Sequence, residues 1–97
     1  MNIEIVGKFF DNHSLSIVNR NLAIELDKIF ENTDNKITIT PIDQFNPDAK
    51  VNKTIAKRLI ELSKIKPDII DIQLRHTYPP MWVWPNNPKT KVVFIQP

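Results

Sequence analysis

The chain has no cysteine, a single glycine, only two histidines and no dense run of either charge. Each shortage removes a class of function. Without cysteine there is neither a disulfide framework nor a thiolate zinc site, and a reducing compartment is compatible. With Gly7 as the only glycine, the chain carries no Gly-x-Gly-x-x-Gly loop, no Walker phosphate loop and no Gly-x-Ser-x-Gly hydrolase elbow. His13 and His76 have no partners at ligand spacing, so no metal or other cofactor is expected. Thirteen Lys and Arg against eleven Asp and Glu leave a formal charge of +2. That balance, scattered along the chain, does not point to nucleic acid. No apolar run approaches the roughly 20 residues of a membrane span. The opening Met1-Asn2-Ile3-Glu4-Ile5-Val6 has no basic segment ahead of an apolar one. No signal peptide or transmembrane segment is therefore expected, and the expected location is cytoplasmic.

What is present suits one α/β domain. Ninety-seven residues, 41% of them hydrophobic, can close one core and not two. Residues 2–6 alternate apolar Ile3 and Ile5 with polar neighbours, a half-buried strand. Gly7 follows, where a tight turn or close backbone approach is possible. Ser14 is the expected N-cap of a helix whose stripe is Leu15, Val18, Leu22, Leu26 and Ile29, ending near Asn32. Residues 36–40 read as a second strand stopped by Pro41. Asn46-Pro47-Asp48 reads as a turn and helix start. Val51, Ile55, Leu59 and Leu62 then give a second stripe, with Lys64 and Lys66 at its C-terminal end and Pro67 stopping it. A third strand covers 68–74 and a fourth 91–95.

The order β-α-β-α-β-loop-β predicts a four-stranded parallel sheet, a Rossmann-like half with strand order 3-2-1-4 and helices mainly on one face. The crossover that normally supplies a helix to the second face is here a proline-rich loop. The expected uncovered face carries Glu4, Val6, Thr38, Thr40, Ile69, Asp71 and Gln73. Either the chain is a piece of a larger protein, or it covers this face by self-association, or Trp82, Trp84 and Phe94 cover it internally.

The loop itself concentrates unusual chemistry: Arg75-His76-Thr77-Tyr78-Pro79-Pro80-Met81-Trp82-Val83-Trp84-Pro85. Prolines fix φ and remove donors, so this backbone cannot join a helix or sheet. Aromatic side chains and an arginine on a stiffened loop suit a polar, ring-shaped ligand, or else plug an open sheet face.

Two segments carry a resemblance. Gly7-Lys8-Phe9-Phe10-Asp11-Asn12-His13-Ser14-Leu15-Ser16-Ile17-Val18-Asn19-Arg20 resembles the first strand-to-helix loop and opening helix of the amino-terminal domain of GT-B group-1 glycosyltransferases, of the kind His-Ser-Leu-x-x-Val-Asn-Arg. Arg75-His76-Thr77-Tyr78-Pro79-Pro80, with Val93-Phe94-Ile95-Gln96-Pro97, is similar to a subgroup with an Arg-His-x-aromatic-Pro-Pro loop and a strand ending in Gln-Pro. That subgroup continues with Trp-Glu-aromatic-Gly, whereas this chain stops at Pro97.

The resemblance implies that residues 1–97 are a single, partial Rossmann-like domain, the acceptor-side part of a retaining, nucleotide-sugar-dependent transferase. The parent's partners would be a nucleotide sugar and a carbohydrate acceptor, and the carboxy-terminal donor domain, with its acidic Glu-containing motif, is absent. The chain alone is expected to be inactive. The alternative is a small α/β interaction module that completes its sheet by self-association or by docking on another subunit.

The candidate ligand-binding residues are Gly7, His13, Ser14, Arg20, Arg75, His76, Tyr78 and Trp82; no catalytic residue is assigned. His13 can hydrogen-bond a sugar hydroxyl or be a solvated loop residue. The Ser14 and Leu15 amides can face a diphosphate, or Ser14 can simply cap. Arg20 is either solvated or the donor of a structural or cleft-facing hydrogen bond. Arg75 can fork a phosphate or carboxylate, or pair with Asp71, Asp43 or Asp11. His76 can partner a sugar hydroxyl, and Tyr78, Trp82 and Trp84 can stack on sugar rings or be buried.

Overall fold

The computed structural model describes residues 1–45 and 50–95. The elements are β1 (Asn2–Gly7), α1 (Ser14–Phe30), β2 (Lys36–Pro41), α2 (Lys53–Ser63), β3 (Ile72–His76) and β4 (Lys91–Phe94). The Asn46-Pro47-Asp48 turn and the Gln96-Pro97 strand end lie outside the described residues.

The α/β class and the all-parallel four-stranded sheet are as the sequence predicts. The strand order is corrected. In chain-order numbering, 3-2-1-4 would set β3 outside β2; the structure instead gives β2-β1-β3-β4, with β1 pairing both β2 and β3. α2 lies along β2, where the Thr38 hydroxyl donates to the Leu62 and Ile65 carbonyls at 2.8 and 2.6 Å, and the chain then returns across the sheet to pair β3 with the other side of β1. This is the strand order of flavodoxin-like sheets, in which β2 and β3 are laid on opposite sides of β1. Ligands of open α/β sheets bind at the carboxyl ends of the strands flanking such a switch point.

Register sorts the side chains. Ile3, Ile5, Ile37, Ile39, Ile72 and Leu74 share one face. Over β1 and β2 that face packs under α1, in a core that includes Phe9, Phe10, Ala23, Leu59 and Leu62. Glu4, Val6, Thr38, Thr40, Gln73, Arg75 and Phe94 share the other face. The chain crosses it on the way to β3, where Asn2 Nδ2 donates to the Ile69 carbonyl at 2.8 Å. β3 accordingly begins at Ile72 rather than at residue 68. Among the described residues only α1 covers a face outright; α2 packs along β2 and against α1.

The α1 stripe is also corrected. Val18 and Ile29 are exposed, and the buried positions are Ser16, Asn19 and Ala23, flanked by partly buried Leu22, Leu26 and Phe30. The helix is rotated from its apolar stripe because its first two turns meet loop carbonyls and a histidine ring, which need polar partners. The second helix keeps its register, burying Leu59 and Leu62, and is capped by the Asn52 side chain on the Thr54 and Ile55 amides.

Candidate functional site

The candidate residues divide between two places, because successive residues of a strand point to opposite faces. His76 registers with Gly7 on the α1 side, while Arg75 registers with Val6 on the other.

The α1-side cluster sits at the β1–β3 switch point. Gly7 ends β1, and a Cβ there would lie 2.5 Å from Asn19 Nδ2 and 2.6 Å from the His76 carbonyl oxygen. Glycine is required for this approach rather than for an unusual φ. Asn19 is fully buried. Its Nδ2 donates to the Lys8 carbonyl at 3.0 Å and the His76 carbonyl at 3.3 Å, and its Oδ1 lies 2.8 Å from His76 Nδ1. With the amide oriented this way, His76 Nδ1 is the donor. The buried Nε2 of His76 then has no hydrogen-bond partner among the described residues. Burial pushes the His76 pKa below its ordinary value, which favours the neutral ring.

The loop after β1 is held by its own side chains. The N-cap of α1 is His13, not Ser14: His13 Nδ1 accepts from the Leu15 amide at 3.3 Å, and Ser14 is the first helical residue. The Asp43 carboxylate accepts from the Phe9 and Phe10 amides, each at 2.9 Å. Arg20 Nη1 donates to the Phe9 and Asp11 carbonyls at 2.8 and 2.6 Å, so Arg20 takes the structural role. Asp11 accepts from the His13 amide at 2.9 Å. Its carboxyl is held below the ordinary carboxylate range chiefly by the adjacent Ser16 hydroxyl, although burial opposes the shift. That hydroxyl stands close without reaching regular hydrogen-bond geometry. The Leu15, Phe9 and Phe10 amides are therefore already engaged. An aspartate also stands beside the α1 N-terminus, where an anion is favoured. This edge suits hydroxyl groups better than a diphosphate.

The second cluster is on the open face. Arg75 is 3% exposed. Its Nε donates to Gln73 Oε1 and its Nη1 to the Met81 carbonyl, both at 2.7 Å. Gln73 donates onward to Glu4, which also accepts from Thr40. Asp71, Asp43 and Asp11 do not pair with Arg75. Asp71 instead accepts from the Asn2 amide, and no carboxylate among the described residues forms an ion pair with Arg75. The guanidinium lies 5.7 Å from the Phe94 ring centre, and Trp82 stacks on Phe94 at 4.7 Å. A cleft of about 630 Å³ opens between these groups, Trp84 and Pro88. Trp82 is 75% and Trp84 94% exposed. They do not plug the face, and Tyr78, followed by a cis peptide to Pro79, is also exposed.

Sequence reasoning left Asn19, Glu4, Gln73 and Phe94 out of the site. Asn19 stood inside the first motif, and Glu4 and Gln73 were visible as polar residues on one strand face; their pairing required the corrected strand order. Among the described residues no group of acidic and histidine side chains can hold a metal, and no helix is long and apolar enough to cross a membrane.

Comparison of the chain with known protein families, with curated proteins and with solved structures finds no match.

Proposed function

We propose that this chain is the acceptor-side part of a nucleotide-sugar-dependent glycosyltransferase of the GT-B type, cytoplasmic and unable to turn over a donor sugar alone. One observation carries the reading. Asn19, from the segment resembling the family's first loop and helix, hydrogen-bonds His76, from the segment resembling its Arg-His loop. Two stretches that resemble one family 57 residues apart are thereby in direct contact at the switch point. The engagement of the Phe9, Phe10 and Leu15 amides by Asp43 and His13 speaks against a diphosphate facing this loop and leaves acceptor hydroxyl groups as what it would meet.

The test is a pair of measurements on the 97-residue protein. A nucleotide-sugar turnover assay is expected to show neither transfer nor hydrolysis. Amide chemical shifts at residues 13–15 and 76 are expected to move with short oligosaccharides at roughly millimolar concentration. Sugar transfer by the chain alone, or no movement of those amides, defeats the proposal.

A second reading, an interaction module, is favoured by the half-buried Ile72, Leu74 and Val93, which share a face without a helix above them. Sedimentation across a concentration series checks it: a mass fixed at that of the monomer counts against self-association.

A further inference from the structure

We infer that the open-face cleft around Arg75, Trp82 and Trp84 is a binding site for a monoanionic saccharide, a pyranose carrying a carboxylate. The inference goes beyond the proposed function, because the cleft is on the face opposite to His76 and its occupancy reads out on different groups.

The first argument is charge. Arg75 is 3% exposed, yet its two protein hydrogen bonds go to an amide oxygen and a backbone carbonyl. Its nearest compensation, Glu4, is reached only through Gln73. A buried guanidinium with no direct anion retains attraction for one. Nη2 makes no hydrogen bond to the described residues and remains available for a carboxylate oxygen.

The second argument is shape. The Phe94 ring lies 5.7 Å from the guanidinium and 4.7 Å from the tilted Trp82 ring, so a cation and an indole line the same cleft. Trp82 and the 94% exposed Trp84 offer flat apolar faces, the surfaces on which the C–H side of a pyranose packs. A cleft of about 630 Å³ accommodates a small cyclic ligand.

The third argument selects the anion. A phosphate dianion is usually held by several cations or by helix N-terminal amides. Here one arginine serves, and Glu4 stands behind it, so a single negative charge matches and a double one does not.

The test titrates the intact protein with galacturonate, galactose and galactose 6-phosphate while following the tryptophan indole N–H signals. Galacturonate is expected to move the Trp82 and Trp84 signals with a dissociation constant of roughly 1–10 mM. Galactose and galactose 6-phosphate are expected to bind at least about fivefold more weakly, for lack of a charge-matched hydrogen bond to Arg75. Trp84→Ala, exposed and therefore foldable, should weaken galacturonate about fivefold while leaving the circular dichroism unchanged. Arg75→Lys keeps the charge without the planar fork and should lose the preference for galacturonate over galactose.

The inference is overturned if the indole signals do not move, if galactose or its phosphate binds as tightly as galacturonate, or if Trp84→Ala leaves the affinity intact. It is also overturned if Trp84→Ala only converts a dimer to a monomer while the titration stays flat. Indole movement without change at residues 13–15 supports this site, and movement at residues 13–15 without indole movement overturns it; the proposed function stands or falls on its own oligosaccharide titration.

Discussion

The two faces of this sheet obey different rules. On the α1 side, Ile5 and Ile39 are wholly buried against Phe9, Ala23 and Leu59, and the buried polar groups of α1 are Ser16 and Asn19, the latter meeting the loop carbonyls and His76. On the other side the strands put forward a chain of polar groups from Thr40 through Glu4 and Gln73 to Arg75, and the bulkiest apolar side chains stand outside it in solvent. Apolar burial stabilises in proportion to area and without direction, whereas a polar network is stable only when each member is satisfied. The first face therefore explains why the domain holds together. The second explains little about stability and is where recognition is expected.

The strongest way to break this contrast is to cut into the first face. Ile5→Ala removes a fully buried side chain from the central strand and is expected to cost about 2–5 kcal/mol in urea unfolding. A small domain has roughly 5–15 kcal/mol in total, so the variant should be marginal. A loss under about 1 kcal/mol would mean that the core is not centred on β1.

Asn19→Ala sharpens the contrast within the same face. It leaves the Lys8 and His76 carbonyls and the His76 Nδ1 proton without their partner, and each unsatisfied buried group costs about 1–3 kcal/mol. Some of these groups will recruit water, so a net loss of about 2–3 kcal/mol is expected. If Asn19→Ala is neutral, the contact between the two motif segments is incidental and the functional reading loses its footing.

The legible part of this molecule was what depends on local period and spacing. Strand alternation at 2–6 and 36–40, the apolar stripe ending in Leu59 and Leu62, and the lack of a helix between Arg75 and Lys91 led to a parallel sheet that is not fully covered, as observed. What depends on non-local pairing was not legible. Nothing local says on which side of β1 the third strand will pair, and that choice decides the strand order. The α1 stripe misled for a related reason: Val18 and Ile29 follow the helical period, but the buried side had to carry Asn19 for its tertiary partners. The site shows the same limit. Arg75 and His76 were grouped because they are adjacent in sequence, and the pleat parts them. The choice of His13 over Ser14 as N-cap depended on the ring's orientation, which hydroxyl preference does not foresee.

A smaller effect reads the buried polar group of the first face. Burial lowers the folded-state pKa of His76 below its model-peptide value of 6.5. Below that pH the unfolded chain takes up a proton that the folded chain resists. Stability is therefore complete above about 6.5 and declines as pH falls through it. The His76 ring signals should titrate with a midpoint below 6.5, and unfolding should occur at lower urea at pH 5 than at pH 7.5. His76→Gln should flatten that slope. A midpoint above 6.5 would mean that the ring is paired with a negative charge rather than desolvated.

Between the helices, Arg58 forks Asp27, with Nε at 2.7 Å and Nη2 at 2.8 Å from the two carboxylate oxygens. The pair holds the Arg58 pKa above its ordinary value, but the arginine side chain is 42% exposed. Solvent screening limits such a pair to about 1 kcal/mol. Arg58→Met should cost no more than that in urea unfolding, and 1 M salt should lower wild-type stability by less than the same amount.

The least effect is expected where the aromatic side chains are largest. Trp84 is 94% exposed, so its removal takes almost no apolar surface out of the folded state, and Trp84→Ala should change urea stability by less than about 0.5 kcal/mol. Phe94, half-buried on the same face, packs against both Trp82 and the Arg75 guanidinium, and Phe94→Ala should cost about 1–3 kcal/mol because that contact is lost and the cation beneath it is left uncovered. The ratio of the two effects separates the ways the open face can work. If Trp84→Ala destabilises as much as Phe94→Ala, the tryptophan is buried in solution by a second molecule or by its own loop, and the open face is structural after all. If it is neutral, an indole of that size is held in water for something other than folding, and the contrast between the two faces of the sheet stands.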